Sequence, residues 1–254
     1  MPLYESEAIV LRSIRYREAD RIVTFFTHKF GKVGAVAKGS RRTKSKFGSS
    51  LEPFSHIHLI FFGKENANLY QVNSTDLVRS FRPLREDYER SWRGSYLVDL
   101  VNSTQKDWDP SGKVFSLLME YFRLMEELNS SEKWDTLLVL FELRYLATIG
   151  YRFHLDHCVY CKKGGTQSSQ FGFNPEQGGL VCSECLDGDP KANRVQPGTV
   201  KLMKKALDME LGKLSRLGVS PSILPQIRQC VQQFRITHIG FDLKSTKFLN
   251  RSVP

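Results

Sequence analysis

Four of the five cysteines form two pairs that share one internal spacing. Two residues separate Cys158 from Cys161 and Cys182 from Cys185, and twenty residues separate the pairs. A two-residue gap lets each pair hold one side of a tetrahedral ion, and four thiolates complete the closed coordination of structural zinc. The spacing therefore predicts one structural zinc per chain. An iron–sulfur centre and four unligated core cysteines are the alternatives.

The neighbouring histidines and the fifth cysteine are not expected to bind the metal. His154 and His157 precede the first pair and are interpreted as loop or surface residues, although either can replace a cysteine ligand. Cys230 shares a helical face with Ile227 and Val231, which indicates a small buried apolar side chain. A disulfide framework is not expected, because a cytosolic compartment keeps thiols reduced.

A second group of residues suits a polyanion. Five cations and no acid fall within nine positions. They are Lys38, Arg41, Arg42, Lys44 and Lys46. Like charges at this density repel one another, and each that contacts a phosphate releases counterions, so the stretch predicts salt-dependent binding to a nucleic-acid backbone. A solvated surface loop is the alternative.

Residues near this stretch favour single-stranded DNA as the polyanion. Arg15 and Arg17 add positive charge, and Phe47 is a candidate for stacking on bases. Phe61 and Tyr70 are further candidates, unless these rings form a core instead. The whole-chain charge of +10 agrees with this assignment, and residues 1–82 contain 14 Lys and Arg against 7 Asp and Glu.

Motifs that would indicate an enzyme are missing from the sequence. There is no Walker A motif, no G-x-S-x-G and no H-E-x-x-H. A fragment of an NAD-dependent DNA ligase also combines a barrel with four cysteines, but it needs Lys-x-Asp-Gly, and the closest match has Cys185 in the lysine position. A zinc-ribbon transcription regulator that reads duplex DNA is the other alternative. It should prefer one DNA site over random competitor.

The elements that must position these residues fall into two classes. Five apolar or β-branched runs predict strands over 8–11, 22–26, 33–37, 56–62 and 68–72, with a hairpin turn over 63–66. A basic five-stranded unit fits an OB-fold barrel, and an SH3-like barrel equally well. The cation-rich stretch then lies between the third and fourth strands.

From Pro83 onward the apolar period becomes helical. Helices are predicted over 84–103, from 109–110 to 128, and over 134–149, 197–217 and 221–238. The cysteine segment interrupts this pattern. The predicted fold class is therefore α+β: a five-stranded OB-fold DNA-binding barrel over 1–82, and an all-helical domain over 83–150 and 196–254. A zinc-binding module over 151–195 is inserted in the helical domain.

Three ordered motifs resemble the bacterial recombination mediator RecO family over nearly the whole chain. The first comprises AIVLR at 8–12, YREADR at 16–21 and KGSRR at 38–42 leading to LEPF at 51–54. The second is the two cysteine pairs joined by FGFNPEQGGLV at 171–181, and the third is HIGFDLKS at 238–245. The resemblance implies an OB-fold, a structural zinc and a role in recombinational repair without catalysis.

The resemblance also implies partners and a cellular location. Members of this family are expected to bind single-stranded DNA, anneal complementary strands and, with RecR, help load RecA onto DNA coated by single-stranded DNA-binding protein. The tail of that protein and RecF are further expected partners, and the location is the bacterial cytoplasm at the nucleoid. No apolar run is long enough for a membrane helix and no signal-peptide pattern is present, so no membrane partner is expected.

A cluster of lysines is a candidate site for the acidic, hydrophobic-ended tail. Lys201, Lys204 and Lys205 lie within one to four residues of one another at the start of a predicted helix, beside Leu202 and Leu207. Such an edge would steer the acidic residues while an apolar groove takes the terminal ring. A solvated helix face is the alternative.

Overall fold

The computed structural model describes residues 1–65, 67–164 and 170–240. Residue 66 of the predicted hairpin turn, and residues 241–245 of the third motif, lie outside this part. The chain forms two compact units, of which the described parts are Met1–Asn129 and residues 130–240. The helices that follow the barrel are divided between these units. The domain ranges predicted from the sequence, 1–82, 83–150, 151–195 and 196–254, stay predictions.

Five strands of the first unit form a closed barrel. They are β1 (Leu3–Tyr16), β2 (Asp20–Thr27), β3 (Gly31–Ala37), β4 (His56–Phe62) and β5 (Tyr70–Arg79). Their order is β1-β2-β3-β5-β4. All neighbours pair antiparallel except β3 and β5, which meet in parallel over two residues. Parallel closure between the third and fifth strands is the topology of an OB-fold, so the SH3-like alternative is excluded.

The barrel core follows the two-residue period of its strands. Along β3, Val33, Ala35 and Ala37 are buried, and the residues between them are partly exposed. β1 is longer than its predicted apolar run because one half pairs with β2 and the other with β4. The predicted strands lie inside β1, β2 and β3 and have the same bounds as β4, but the fifth covers only the start of β5, which continues to Arg79.

Three helices complete the first unit. They are α1 (Pro83–Glu86), α2 (Tyr88–Thr104) and α3 (Gly112–Glu127). The single helix predicted over 84–103 is interrupted at Asp87, whose carboxylate accepts the N–H of Arg90 at 2.9 Å and so caps a new helix. The Ser111 hydroxyl accepts from Val114 N–H at 3.4 Å, and α3 therefore begins at Gly112.

The segment between α2 and α3 lies against the barrel core. The Trp108 ring centroid is 5.0 Å from that of Tyr70 and 5.3 Å from that of Tyr4. Trp108 N–H donates to the carbonyl of Lys32 at 3.1 Å, which fixes the ring beside β3. A Cβ on Gly31 would meet the Asp109 backbone at 2.4 Å, so this close approach requires glycine.

The second unit contains helices and a small sheet. The helices are α4 (Ser131–Thr148), α5 (Ser183–Leu186), α6 (Pro197–Asp208), a 3-10 helix (Leu211–Arg216) and α7 (Leu224–Ile239). The strands are β6 (Phe171–Asn174), β7 (Gly179–Cys182) and β8 (Asn193–Val195), in the order β7-β6-β8. This sheet and α5 lie within the predicted insertion, so the cysteine module has β-structure between helices α4 and α6.

Helix–helix contacts explain where α6 ends. The prediction extends this helix to residue 217, but the Arg144 guanidinium of α4 donates to the carbonyl of Ala206 at 2.9 Å and also to that of Met209. These bonds satisfy carbonyls of the last turn, and the helix ends at Asp208. In the described part of the chain, no helix is long and apolar enough to cross a membrane.

Candidate metal centre and nucleic-acid interface

The four paired cysteines converge on one point. Their Sγ atoms all lie within 4.8 Å of one another, and the Sγ atoms of Cys161 and Cys182 are 3.6 Å apart. A tetrahedral ion with Zn–S bonds of about 2.3 Å has sulfur–sulfur separations of about 3.8 Å. The cluster therefore has the ligand number and the size for one zinc ion.

Local structure places each pair. Cys182 ends β7 and Cys185 lies one turn further on in α5. The first pair sits in a tight turn: Lys162 N–H donates to the Cys158 carbonyl at 3.0 Å, and Cys158 N–H donates to the Lys163 carbonyl at 2.9 Å. Lys162 closes this turn at φ 61°, in the left-handed region.

The electrostatics of the cluster favour a cation. Burial disfavours the Cys158 thiolate, but the backbone N–H groups of Cys182, Cys161 and Tyr160 outweigh burial and lower the pKa of Cys158 to about 6. Hydrogen bonding to Cys182, together with burial, raises the pKa of Cys185 to about 12. Thiolates this close repel one another, and a divalent ion would stabilise all of them together.

The remaining candidates lie outside this cluster. Among the described residues, the cluster consists of the four cysteines without His154 or His157, and both histidines are exposed. Cys230 is 1% exposed, and burial raises the pKa of its thiol to about 12. The interpretation of Cys230 as a buried apolar residue is confirmed.

The cation-rich stretch lies between β3 and β4, as predicted, and folds back onto the β1–β2 turn. The Arg41 guanidinium donates to the carbonyl of Glu18 at 2.8 Å, and its N–H donates to the carbonyl of Ala19 at 2.9 Å. Gly39 N–H donates to the Asp20 carboxylate at 2.8 Å. These bonds hold the loop and the turn together as one surface.

Seven cations lie on this loop, on the β1–β2 turn or at the adjoining end of β1, and we call this group the basic tip. They are Arg15, Arg17, Lys38, Arg41, Arg42, Lys44 and Lys46, and all are exposed. Within the described part of the chain, no carboxylate lies at ion-pair distance from any of them. Arg21, by contrast, pairs with Glu52 at 2.9 Å. The structure thus brings together the predicted phosphate contacts from two sequence segments.

The predicted stacking rings do not belong to the basic tip. Phe47 is 4% exposed and lies in the barrel core with Phe61 and Tyr70. Such rings offer no free face to a base, so their assignment as stacking residues is corrected to core residues. The Tyr16 ring, which the sequence did not single out, is half-buried at the tip with the Arg17 guanidinium 5.1 Å from its centroid.

The lysine cluster of α6 is smaller than predicted. Lys201 and Lys205 are exposed one helical turn apart. The Lys204 ammonium instead lies 2.8 Å from the Asp156 carboxylate, with its side chain 30% exposed. Lys204 is therefore engaged within the unit, and the candidate edge consists of two lysines.

Comparisons with known proteins agree with this architecture. Residues 1–81 match the family described as "Recombination protein O N terminal", and residues 85–247 match "Recombination protein O C terminal". The division between the two matches falls directly after the barrel, and the second match contains all four clustered cysteines.

Individual relatives match over nearly their full length. A protein named "DNA repair protein RecO" from Syntrophus aciditrophicus is 35% identical over 251 residues, which cover 97% of this chain and 95% of the relative. The protein of the same name from Alkaliphilus metalliredigens is 33% identical, covering 93% of this chain and 94% of the relative. That from Symbiobacterium thermophilum is 31% identical, covering 98% of both.

Proposed function

Because the chain belongs to the recombination protein O family of DNA repair proteins, we propose that it acts as a recombination mediator. In this role it binds single-stranded DNA through the basic tip and anneals complementary strands. With RecR, it helps load RecA onto DNA that single-stranded DNA-binding protein has coated. It performs these steps by binding, without catalysis.

The observation that carries this proposal is the basic tip itself. Seven exposed cations from two segments share one surface without an acidic partner among the described residues. Such a surface neutralises phosphates, and binding through phosphates does not depend on the base sequence. Phe47, Phe61 and Tyr70 are occupied in the core, so the proposed contacts of these segments are to phosphates. Phosphate contacts leave the pairing edges of the bases free for a second strand.

We propose that the cysteine cluster holds one structural zinc per chain. Cys158, Cys161, Cys182 and Cys185 would occupy all four tetrahedral positions, which leaves no site for a catalytic water. The ion would supply coordination bonds that tie the turn at 158–163 to β7 and α5. Its contribution is folding free energy for this module.

The proposed partners follow from the family. RecR and RecF would act with this chain at the nucleoid of the bacterial cytoplasm. The tail of single-stranded DNA-binding protein would contact Lys201 and Lys205, whose charges attract its acidic residues.

Strand annealing tests the proposed function. Two complementary labelled oligonucleotides, bare or coated with single-stranded DNA-binding protein, would be mixed with wild type or with an Arg42→Ala, Lys44→Ala variant. The wild type should accelerate annealing on both substrates, and the variant should be slower. A Lys29→Ala, Lys64→Ala variant, which removes two exposed barrel cations outside the tip, should match the wild type. Equal annealing by all three proteins would contradict the role of the basic tip.

A further inference from the structure

A recess of about 750 Å³ opens on the second unit beside the cysteine cluster. Its lining includes Arg152, His154, Asp156, His157, Lys162 and Gln177, together with the clustered cysteine Cys158. Four of these side chains are basic and exposed, and Asp156 is the one carboxylate. The recess is therefore a concave surface with more basic than acidic groups, contained within the second unit.

The one acid among these groups is already neutralised. The Asp156 carboxylate lies 2.8 Å from the Lys204 ammonium. In the described part of the chain, neither Arg152 nor Lys162 has a carboxylate at ion-pair distance. Other lysines of the same module are paired instead, as Lys163 is with Glu184 at 2.6 Å. Arg152 and Lys162 are thus the recess cations that no described carboxylate pairs. They also lie beside a cluster whose four thiolates would exceed the charge of one zinc ion.

Hydrogen bonds hold the segment 154–162 of the recess against β7 and the residue before it. His154 N–H donates to the Gly178 carbonyl at 2.9 Å, and Leu180 N–H donates to the His154 carbonyl at 2.8 Å. Val159 N–H donates to the Leu180 carbonyl at 2.8 Å, and the Lys162 ammonium donates to the Val159 carbonyl at 2.9 Å. The recess is thereby built on β7, whose last residue is one of the clustered cysteines. Groups held this way lose little freedom when a ligand binds.

We propose that this recess binds the phosphodiester backbone of a single-stranded nucleic acid, as a second contact surface besides the basic tip. The inference rests on the proposed single-strand binding and extends it to the second unit. Cations and imidazole N–H groups are donors to phosphate oxygens. The Phe153 ring in the lining is only 9% exposed and offers no stacking surface, and the inference assigns the remaining polar groups to phosphates, which leaves the bases unread.

The test compares two variants of the full chain that lose the same charge. The first is Arg152→Gln with Lys162→Asn, in which asparagine suits the left-handed φ of 61° at position 162. The second, as control, is Lys163→Gln with Lys191→Gln, which removes two ion-paired lysines of the same module. Binding of a labelled 30-nucleotide dT strand would be measured by fluorescence anisotropy across a range of salt concentrations.

The recess variant should reduce the salt slope by up to about 1.4, since each phosphate contact on a single strand contributes about 0.7. Its affinity at 0.1 M salt should then fall by up to about 25-fold, because affinity varies as the salt concentration to that power. The control should keep the wild-type slope. In hydrogen exchange of the wild type, the strand should slow exchange within residues 152–164.

Three outcomes would overturn the inference. If the recess variant keeps the wild-type salt slope and the strand does not slow hydrogen exchange within 152–164, the recess is not a binding site. In that case, a reduced salt slope in the Arg42→Ala, Lys44→Ala variant would leave the proposed function intact. Equal protection by inorganic phosphate at the same phosphate concentration would make the recess a small-anion site. Failure of the wild type to bind any strand would contradict both proposals. If the recess variant fails to fold, exchange protection in the wild type decides.

Discussion

The guanidinium of Arg41 donates to the carbonyl of Glu18 at 2.8 Å, across the gap between the β3–β4 loop and the β1–β2 turn. Its second, longer bond reaches the carbonyl of Arg17 at 3.5 Å. Arg41 thus contributes to the basic tip through geometry as well as charge. It positions Arg17 and the loop cations relative to each other, whereas Lys44 contributes charge alone.

Substitution of Arg41 should therefore cost more affinity than loss of one charge. Loss of one phosphate contact lowers single-strand affinity about fivefold at 0.1 M salt, from a slope of about 0.7, and this is the expected effect of Lys44→Ala. Arg41→Ala should exceed it. Arg41→Lys, which keeps the charge but loses the bond to Glu18, should also weaken binding and speed hydrogen exchange over 17–20. Wild-type affinity in Arg41→Lys would show that geometry is irrelevant.

If the basic tip contacts phosphates and not bases, its effect on affinity should be the same for strands of different sequence. Arg42→Ala with Lys44→Ala should weaken binding by a similar factor for dT, dA and mixed-sequence strands, and lower the salt slope by up to about 1.4. Anisotropy titrations at several salt concentrations measure both quantities. The Lys29→Ala, Lys64→Ala variant is the matched control. Loss of affinity confined to one sequence would contradict the assignment.

The proposed zinc site predicts different effects for substitutions of the four clustered cysteines and of Cys230. Protein purified without added zinc should contain about one zinc per chain by elemental analysis. Cys158→Ser should lower this content and make residues 151–195 the first to lose hydrogen-exchange protection, because metal-binding free energy is folding free energy. Cys230→Ala should keep the metal, since Cys230 lies outside the cluster. A fully folded, metal-free wild type would refute the structural role.

Burial of His56 predicts a loss of stability on acidification. Burial lowers the pKa of His56 below 6.5, although the hydrogen bond with Glu7 opposes the shift. A lowered folded-state pKa means that this contribution to stability is present above pH 6.5 and is lost as the pH falls through the folded value. His56→Gln should reduce the fall in melting temperature between pH 7 and pH 5. His58→Gln, which removes an exposed neighbour whose charge makes the smallest contribution to the lowered pKa of His56, should reduce the fall much less. Equal curves for all three proteins would contradict the argument.

Local patterns explain what the sequence predicted well. The strands were predictable because alternating burial, as along β3, leaves a two-residue period in the chain. The cysteine cluster was predictable because ligand spacing within each pair is set by coordination geometry. The long helix over 84–103 was predicted without its interruption. In the sequence Asp87 is one polar residue among others, and only the structure shows that its carboxylate accepts from Arg90 N–H and caps a new helix.

Non-local contacts explain the remaining differences. Phe47 belongs to a basic loop in the sequence, and only the folding of that loop against the barrel buries its ring. Lys204 belongs to a lysine cluster in the sequence, but Asp156, 48 positions earlier, pairs with it in the fold. In both cases the deciding partner is distant along the chain, so no periodicity or spacing signals it.

The pairing of Lys204 sharpens the prediction for the tail of single-stranded DNA-binding protein. Lys201 and Lys205 are exposed and one turn apart, so their charges can attract an acidic peptide together, whereas Lys204 is 30% exposed and held by Asp156. Calorimetric titration of the tail peptide should show weaker binding to Lys201→Ala, Lys205→Ala, by about 0.2–1 kcal/mol for each exposed charge pair lost. Lys204→Ala should bind the peptide as the wild type does, because Asp156 already pairs with Lys204. Equal affinities for all three proteins would eliminate α6 as the site, and the DNA-binding assignment would be unaffected.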